Sequence, residues 1–177
     1  LRPALAMNLF SAVAAAATVT LLYMVIRRAL KLAGFRHRSW LSRGIAALSS
    51  ILFAVSYAFW SQATIAEVYA LNALLVAFIM YVLLGWVEHG LVWQDLIPLS
   101  LAVGLGLTHH RSIVLLFPAI VLTVWSVERE TRRRRLYGKH AVLLLGLTCL
   151  PLLLYLYIPL RAPHSPYLTV PLNETDP

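Results

Sequence analysis

The sequence predicts an all-α fold, a polytopic bundle of membrane-spanning helices. Apolar residues fill 60% of the 177 positions and charged residues only 12%, against about 25% charge in a soluble domain. Mean hydropathy is +0.78. The apolar residues gather in long runs, and about 20 in a row is what a helix needs to cross a bilayer. Lys and Arg outnumber Asp and Glu by 15 to 7. Most of that excess sits in two short loops between apolar runs, a pattern that reports topology and argues against a nucleic-acid partner.

About six spans are expected by length, at Ala4 to Ile26, Gly44 to Trp60, Ile65 to Val87, Leu96 to Thr108, Ser112 to Val127 and Ala141 to Leu160. The first run exceeds the apolar core of a signal peptide, and more positive charge follows it than precedes it, so it reads as a retained span. The second and third are separated by one polar break, Gln62 to Asn72, that contains Glu67. The fourth and fifth are short and are compatible with half-helices meeting around Thr108-His-His-Arg111. The sixth ends at a proline-rich segment, Tyr157-Ile-Pro-Leu-Arg161-Ala-Pro-His164, where proline stops a helix. Residues 1–177 form one transmembrane domain, with 161–177 an external polar tail. The chain is expected to be an internal fragment of a longer protein.

Arg27, Arg28, Lys31, Arg36, Arg38 and Arg43 follow the first span, and Arg129, Arg132 to Arg135 and Lys139 precede the last. Positive loops stay in the cytoplasm, and the parity of the spans puts both loops on one side. The Gln62 to Asn72 break, the Thr108 to Ser112 turn and the tail then emerge on the external face. Tyr57, Phe59, Trp60 and Tyr69 flank the external break, while Trp40, Trp86, Trp93 and Trp125 are expected at cytoplasmic boundaries. Ala66, Ala70, Ala73 and Ala77, the alanines from Ala12 to Ala17, and Gly104 and Gly106 mark faces where helix backbones approach closely. Cys149 is the sole cysteine and lies in an apolar run. It builds neither a disulfide framework nor a thiolate metal site, and a buried, inert thiol is expected.

Polar residues among such spans are costly unless they face an aqueous edge or a protein-lined site, so they mark the candidate site. Glu67 has two compatible readings. It is a carboxylate for a base, a cation or a sugar hydroxyl, or the far end of a capping box that starts at Thr64. Gln62, Tyr69 and Asn72 extend its polarity, each also fitting an interhelical hydrogen bond. His109, His110 and Arg111 suit an oxyanion or phosphate, because arginine offers a forked donor and histidine donates or titrates. Adjacent histidines do not share a helix face, which excludes a two-histidine metal site of the H-E-x-x-H kind. Arg161 reads as a phosphate ligand or as a snorkelling interfacial side chain. Asn173-Glu-Thr175 matches a glycosylation acceptor, and Arg132 to Arg135 is a topology anchor that also attracts anionic lipid.

The string from Phe53 to Asn72, with Trp60-Ser-Gln and Glu67-Val-Tyr-Ala-Leu-Asn72, resembles the signature of glycosyltransferase family 117, a group related to a transmembrane protein O-mannosyltransferase. Met7-Asn-Leu-Phe-Ser-Ala12, Gly104-Leu-Gly-Leu-Thr-His109-His110 and Tyr157-Ile-Pro-Leu-Arg161 resemble it in the same order. The resemblance implies a GT-C type enzyme that moves a sugar, mannose for instance, from a polyprenyl-phosphate donor to a protein or glycan acceptor on the external face. No cofactor is implied with certainty, and a divalent cation is compatible. It also implies a catalytic acid in an external loop upstream of the first span, so no residue here is assigned as the catalytic base and the fragment alone is expected to be inactive. Gln62, Glu67, Tyr69, Asn72, His109, His110, Arg111 and Arg161 would line the substrate site, with membrane lipids and the lipid-linked sugar as partners. The expected location is a bacterial inner membrane, or the endoplasmic reticulum in a eukaryote. The competing class is a transporter or flippase, or a non-catalytic subunit that handles the same lipids.

Overall fold

Aliphatic and alanine-rich composition over Pro3–Leu32 sustains one helix, α1, of 30 residues in the computed structural model. The structure describes residues 3–35, 39–65, 69–131 and 138–161. Further helices follow at Ser39–Ala54 (α2), Tyr57–Thr64 (α3), Tyr69–His89 (α4), Trp93–His109 (α5), Phe117–Thr131 (α6), Gly138–Cys149 (α7) and Tyr157–Arg161 (α8). Tight 3-10 turns over Arg111–Leu116 and Leu150–Leu156 lead into α6 and α8. No strand occurs among the described residues, so the all-α expectation holds.

Four described segments are long and apolar enough to cross a membrane: Leu5–Leu32, Tyr69–His89, Arg111–Arg129 and Val142–Arg161. A fifth is the α2–α3 pair, bent by 62° at its break. There the Ser56 hydroxyl donates to the Phe53 carbonyl oxygen (2.7 Å), turning the chain inside what the sequence suggested was one continuous run. α5 has 17 residues, about 26 Å at helical rise against a hydrocarbon core of about 30 Å. By length the described residues thus supply four or five spans, and the expected sixth is not confirmed.

Contacts fix the directions of the helices. Ala14 and Ala15 of α1 bury against Ala70 at the start of α4. Lys31, at the end of α1, pairs with Glu88 at the end of α4. α1 and α4 thus run parallel, and their alanines permit the close approach the sequence suggested. The larger core joins Ile79, Val82 and Trp86 of α4 to Leu99 and Val103 of α5, Ile113 of the following turn and Val127 of α6. α5 returns antiparallel to α4, since its Asp95 accepts from Trp86 Nε1 (3.3 Å) while the turn after it reaches Asn72. Trp86 is fully buried, so it is a core residue and not the boundary aromatic expected from its position. Gly104 packs against the Thr148 carbonyl and Pro151, and Gly106 against Ile113. Tyr155 donates to the Thr108 carbonyl oxygen (3.1 Å), so the last segment runs parallel to α5. Cys149, at the end of α7, is exposed and not buried as expected.

These directions separate two ends. Arg28, Lys31, Glu88 and Asp95 gather at one. Asn72, His110, Ser112 and Tyr155 gather at the other.

Candidate functional site

The second end contains most of the residues selected from sequence. α5 stops at His109 because His110 takes an extended conformation (φ −150°, ψ 128°) and begins the 3-10 turn. The backbone N–H of Ser112 donates to His110 Nδ1 (3.2 Å), and the Ser112 hydroxyl lies 2.8 Å from the same nitrogen. Ser112 Oγ also accepts from Asn72 Nδ2 on α4 at 3.1 Å, and lies 3.3 Å from Asn72 Oδ1. The Tyr69 ring meets the His110 ring with centroids 5.7 Å apart. A relay Asn72–Ser112–His110 thus joins the two polar clusters, 40 residues apart in sequence.

The relay sets the chemistry of the imidazole. An Nδ1 that accepts from a backbone N–H has no proton of its own, so the neutral ring carries its proton on Nε2. His110 then offers Nε2–H as a donor whose direction is held from behind by Ser112 and Asn72.

Gln62 and Tyr69 line a cavity of about 230 Å³ between α2, α3 and α4, together with Phe53, Phe59 and Ala70. The side-chain carbonyl oxygen of Gln62 is buried with no hydrogen-bond partner among the described residues. Such an acceptor costs about 1–3 kcal/mol when it is left unmade, which suits a place where a ligand donor is to arrive.

His109 faces elsewhere. It lines a second cavity, about 390 Å³, with Thr108, Tyr155 and the apolar side chains of Leu71, Leu75, Leu105, Leu154 and Ile158. The expected His-His-Arg cluster therefore divides: His110 toward α4, His109 toward the last segment, and Arg111 exposed at the start of the 3-10 turn. Arg161 closes α8 and is exposed. Thr64, the expected start of a capping box, is the last residue of α3. Its hydroxyl donates back to the Trp60 and Ser61 carbonyl oxygens (3.3 and 3.1 Å). Glu67 lies outside the described residues, as do His164, the Asn173 motif and the Arg132 to Arg135 run.

Two participants were not singled out from sequence. Ser112 carries a usable signal, since a serine two residues after a histidine at a helix end can return both its N–H and its hydroxyl to the ring. Tyr155 carries none, because only the packing of the last segment on α5 brings it to Thr108. Of the described carboxylates, Glu88 and Asp95 stand at the opposite end, and Glu128 lies near the end of α6. Among the described residues no three His, Cys, Asp or Glu side chains come together as a metal site.

Residues 1–133 match the family model described as the protein O-mannosyl-transferase TMEM260 N-terminal domain. No curated protein and no solved structure matches the chain significantly.

Proposed function

The chain belongs to the protein O-mannosyl-transferase TMEM260 N-terminal domain family, a family of multi-pass membrane glycosyltransferases, and from that premise we propose that it takes part in moving a sugar, mannose, from a polyprenyl-phosphate donor to a hydroxyl acceptor on the external face of the membrane. The observation that carries the reading is the Asn72–Ser112–His110 relay at the end of the bundle opposite Arg27, Arg28 and Lys31. Basic loops stay in the cytoplasm, so that end faces outward.

In the reaction the acceptor oxygen forms a bond to the anomeric carbon as the bond from that carbon to the phosphate oxygen breaks. Polyprenyl phosphate departs with the electron pair, and the acceptor proton passes to a carboxylate base outside the relay. His110 Nε2–H meets the negative charge that grows on the leaving phosphate, with Arg111, next to it in sequence, and Arg161, exposed at the end of α8, as further cations. The unpartnered Gln62 oxygen receives a sugar or acceptor hydroxyl beside Tyr69, with Glu67 following α3 to position the same group. The apolar cavity bordered by His109 is suited to the isoprenoid tail, with the imidazole at its polar edge. We propose that the enzyme is of the GT-C type, in glycosyltransferase family 117, and works in a bacterial inner membrane or its endoplasmic-reticulum counterpart.

The donor class is tested with the full-length protein in liposomes. Mannose should reach a protein acceptor from polyprenyl-phosphate mannose and not from a nucleotide sugar alone. Transfer from the nucleotide sugar without lipid carrier would refute the donor assignment, and movement of the lipid-linked sugar across the bilayer without transfer would support a transporter instead.

A further inference from the structure

At the other end of the bundle a cavity of about 420 Å³ opens between α1, α2 and α4. One stretch of α1 supplies three cations to it, Arg27, Arg28 and Lys31, and α4 supplies one carboxylate, Glu88. Lys31 and Glu88 pair with each other, so the two arginines leave the cavity with an excess of positive charge.

Arg28 is held in place. Its Nη1 donates to the Tyr81 carbonyl oxygen (2.8 Å), and its guanidinium carbon lies 3.7 Å from the centre of the Tyr81 ring. Gly85 makes this possible, because a Cβ there would collide with the guanidinium. Arg27 is exposed, and among the described residues its guanidinium carbon lies 5.8 Å from the centre of the Tyr23 ring. Ser39 and Ser42 complete the polar wall. Met24 and Phe35, both partly exposed, form an apolar rim.

From this geometry we infer that the cavity is a binding site for the phosphate headgroup of an anionic phospholipid of the cytoplasmic leaflet. A fixed guanidinium, a second free to close and flanking hydroxyls match a phosphodiester. The positive-inside rule puts this end of the bundle where anionic headgroups lie, and basic pockets between spans collect them. The apolar rim distinguishes a lipid from free phosphate, since an acyl chain can lie along Met24 and Phe35. The site stands at the far end from the relay and does not depend on the transfer reading.

The test uses the full-length protein in detergent, titrated with phosphatidylglycerol, phosphatidylcholine or inorganic phosphate and read by native mass spectrometry and thermal unfolding. Phosphatidylglycerol should bind and raise the melting temperature. Arg27→Gln should weaken it about fivefold, the worth of one basic residue close to an anionic surface. Arg43→Gln is the control, because it removes the same charge from an exposed position outside the cavity and should leave binding unchanged. Equal weakening by both variants would reduce the effect to diffuse surface charge and overturn the site. So would equal binding of phosphatidylcholine, competition by millimolar phosphate, or an Arg27→Gln protein that binds as before. Gly85→Ala gives a second reading, since displacing Arg28 should weaken binding while Arg27 is intact.

Discussion

Gly104→Ala should lower stability by about 1–3 kcal/mol, the usual penalty for a methyl group forced into a packed interface. Local preference points the other way, because alanine is favoured over glycine inside a helix by about 1 kcal/mol. The contact decides the sign. A Cβ at Gly104 runs into the main-chain carbonyl oxygen of Thr148 and lies 3.0 Å from two Pro151 ring atoms. Neither a backbone oxygen nor a proline ring escapes by changing rotamer, so α5 and α7 must separate. Gly104→Val should therefore cost more, about 3 kcal/mol or above. Gly146 provides the comparison, since an added Cβ there meets nothing within 4 Å. Gly146→Ala should be neutral or stabilising by up to about 1 kcal/mol. Thermal unfolding of the purified variants in one detergent reads both changes. Equal effects at the two positions would mean that α5 and α7 do not meet at Gly104.

The close approach at Gly104 was legible from sequence because small residues have few uses in an apolar helix besides letting a neighbour in. The alanines at positions 14, 15 and 70 follow the same logic. Charge placement was legible too. Parallel α1 and α4, joined at Lys31 and Glu88, place the end of the first apolar run beside the end of the third, as the span order requires. What failed was inference from hydropathy about where a helix bends. The Gly44 to Trp60 run has no proline, yet it turns at Ser56, whose hydroxyl takes the Phe53 carbonyl. Trp86 stands at the expected end of α4, but its full burial there was not legible. A tryptophan near the end of an apolar run is expected at the interface, but Asp95 returns on the next helix to accept its N–H, and that bond permits full burial.

The candidate site was legible as two polar clusters and not as one. Sequence spacing says which residues share a helix, and it cannot say that Asn72 and Ser112 touch. That contact requires α4 and α6 to pack with Ile113 buried against the large core, so that the turn before α6 is pressed onto the start of α4. Packing also separates His109 from His110. The helix ends between them, and each ring follows a different backbone direction, His109 into the cavity beside Tyr155 and His110 against the Tyr69 ring.

That separation makes the histidines unequal, and the largest expected functional loss follows. His110→Ala should reduce sugar transfer by about 10²–10³-fold, the range for removing one preorganised donor aimed at developing charge. Ser112→Ala keeps the imidazole but removes the hydroxyl between it and Asn72, so a loss of about tenfold is expected from disorientation of a group that acts through geometry. The Ser112 N–H still reaches Nδ1, which is why that loss should stay well below the loss of the ring. Asn72→Ala should resemble Ser112→Ala, because either change breaks the same link. The double variant should be little worse than either single one, the non-additive result expected of residues that form one network. Initial rates with a polyprenyl-phosphate mannose donor measure the losses, and thermal unfolding separates them from misfolding. Near wild-type transfer by a stably folded His110→Ala protein would remove the ring from the mechanism. Losses that multiply in Asn72→Ala/Ser112→Ala would mean that the two side chains act separately, and His110 would then owe its position to the turn and not to α4.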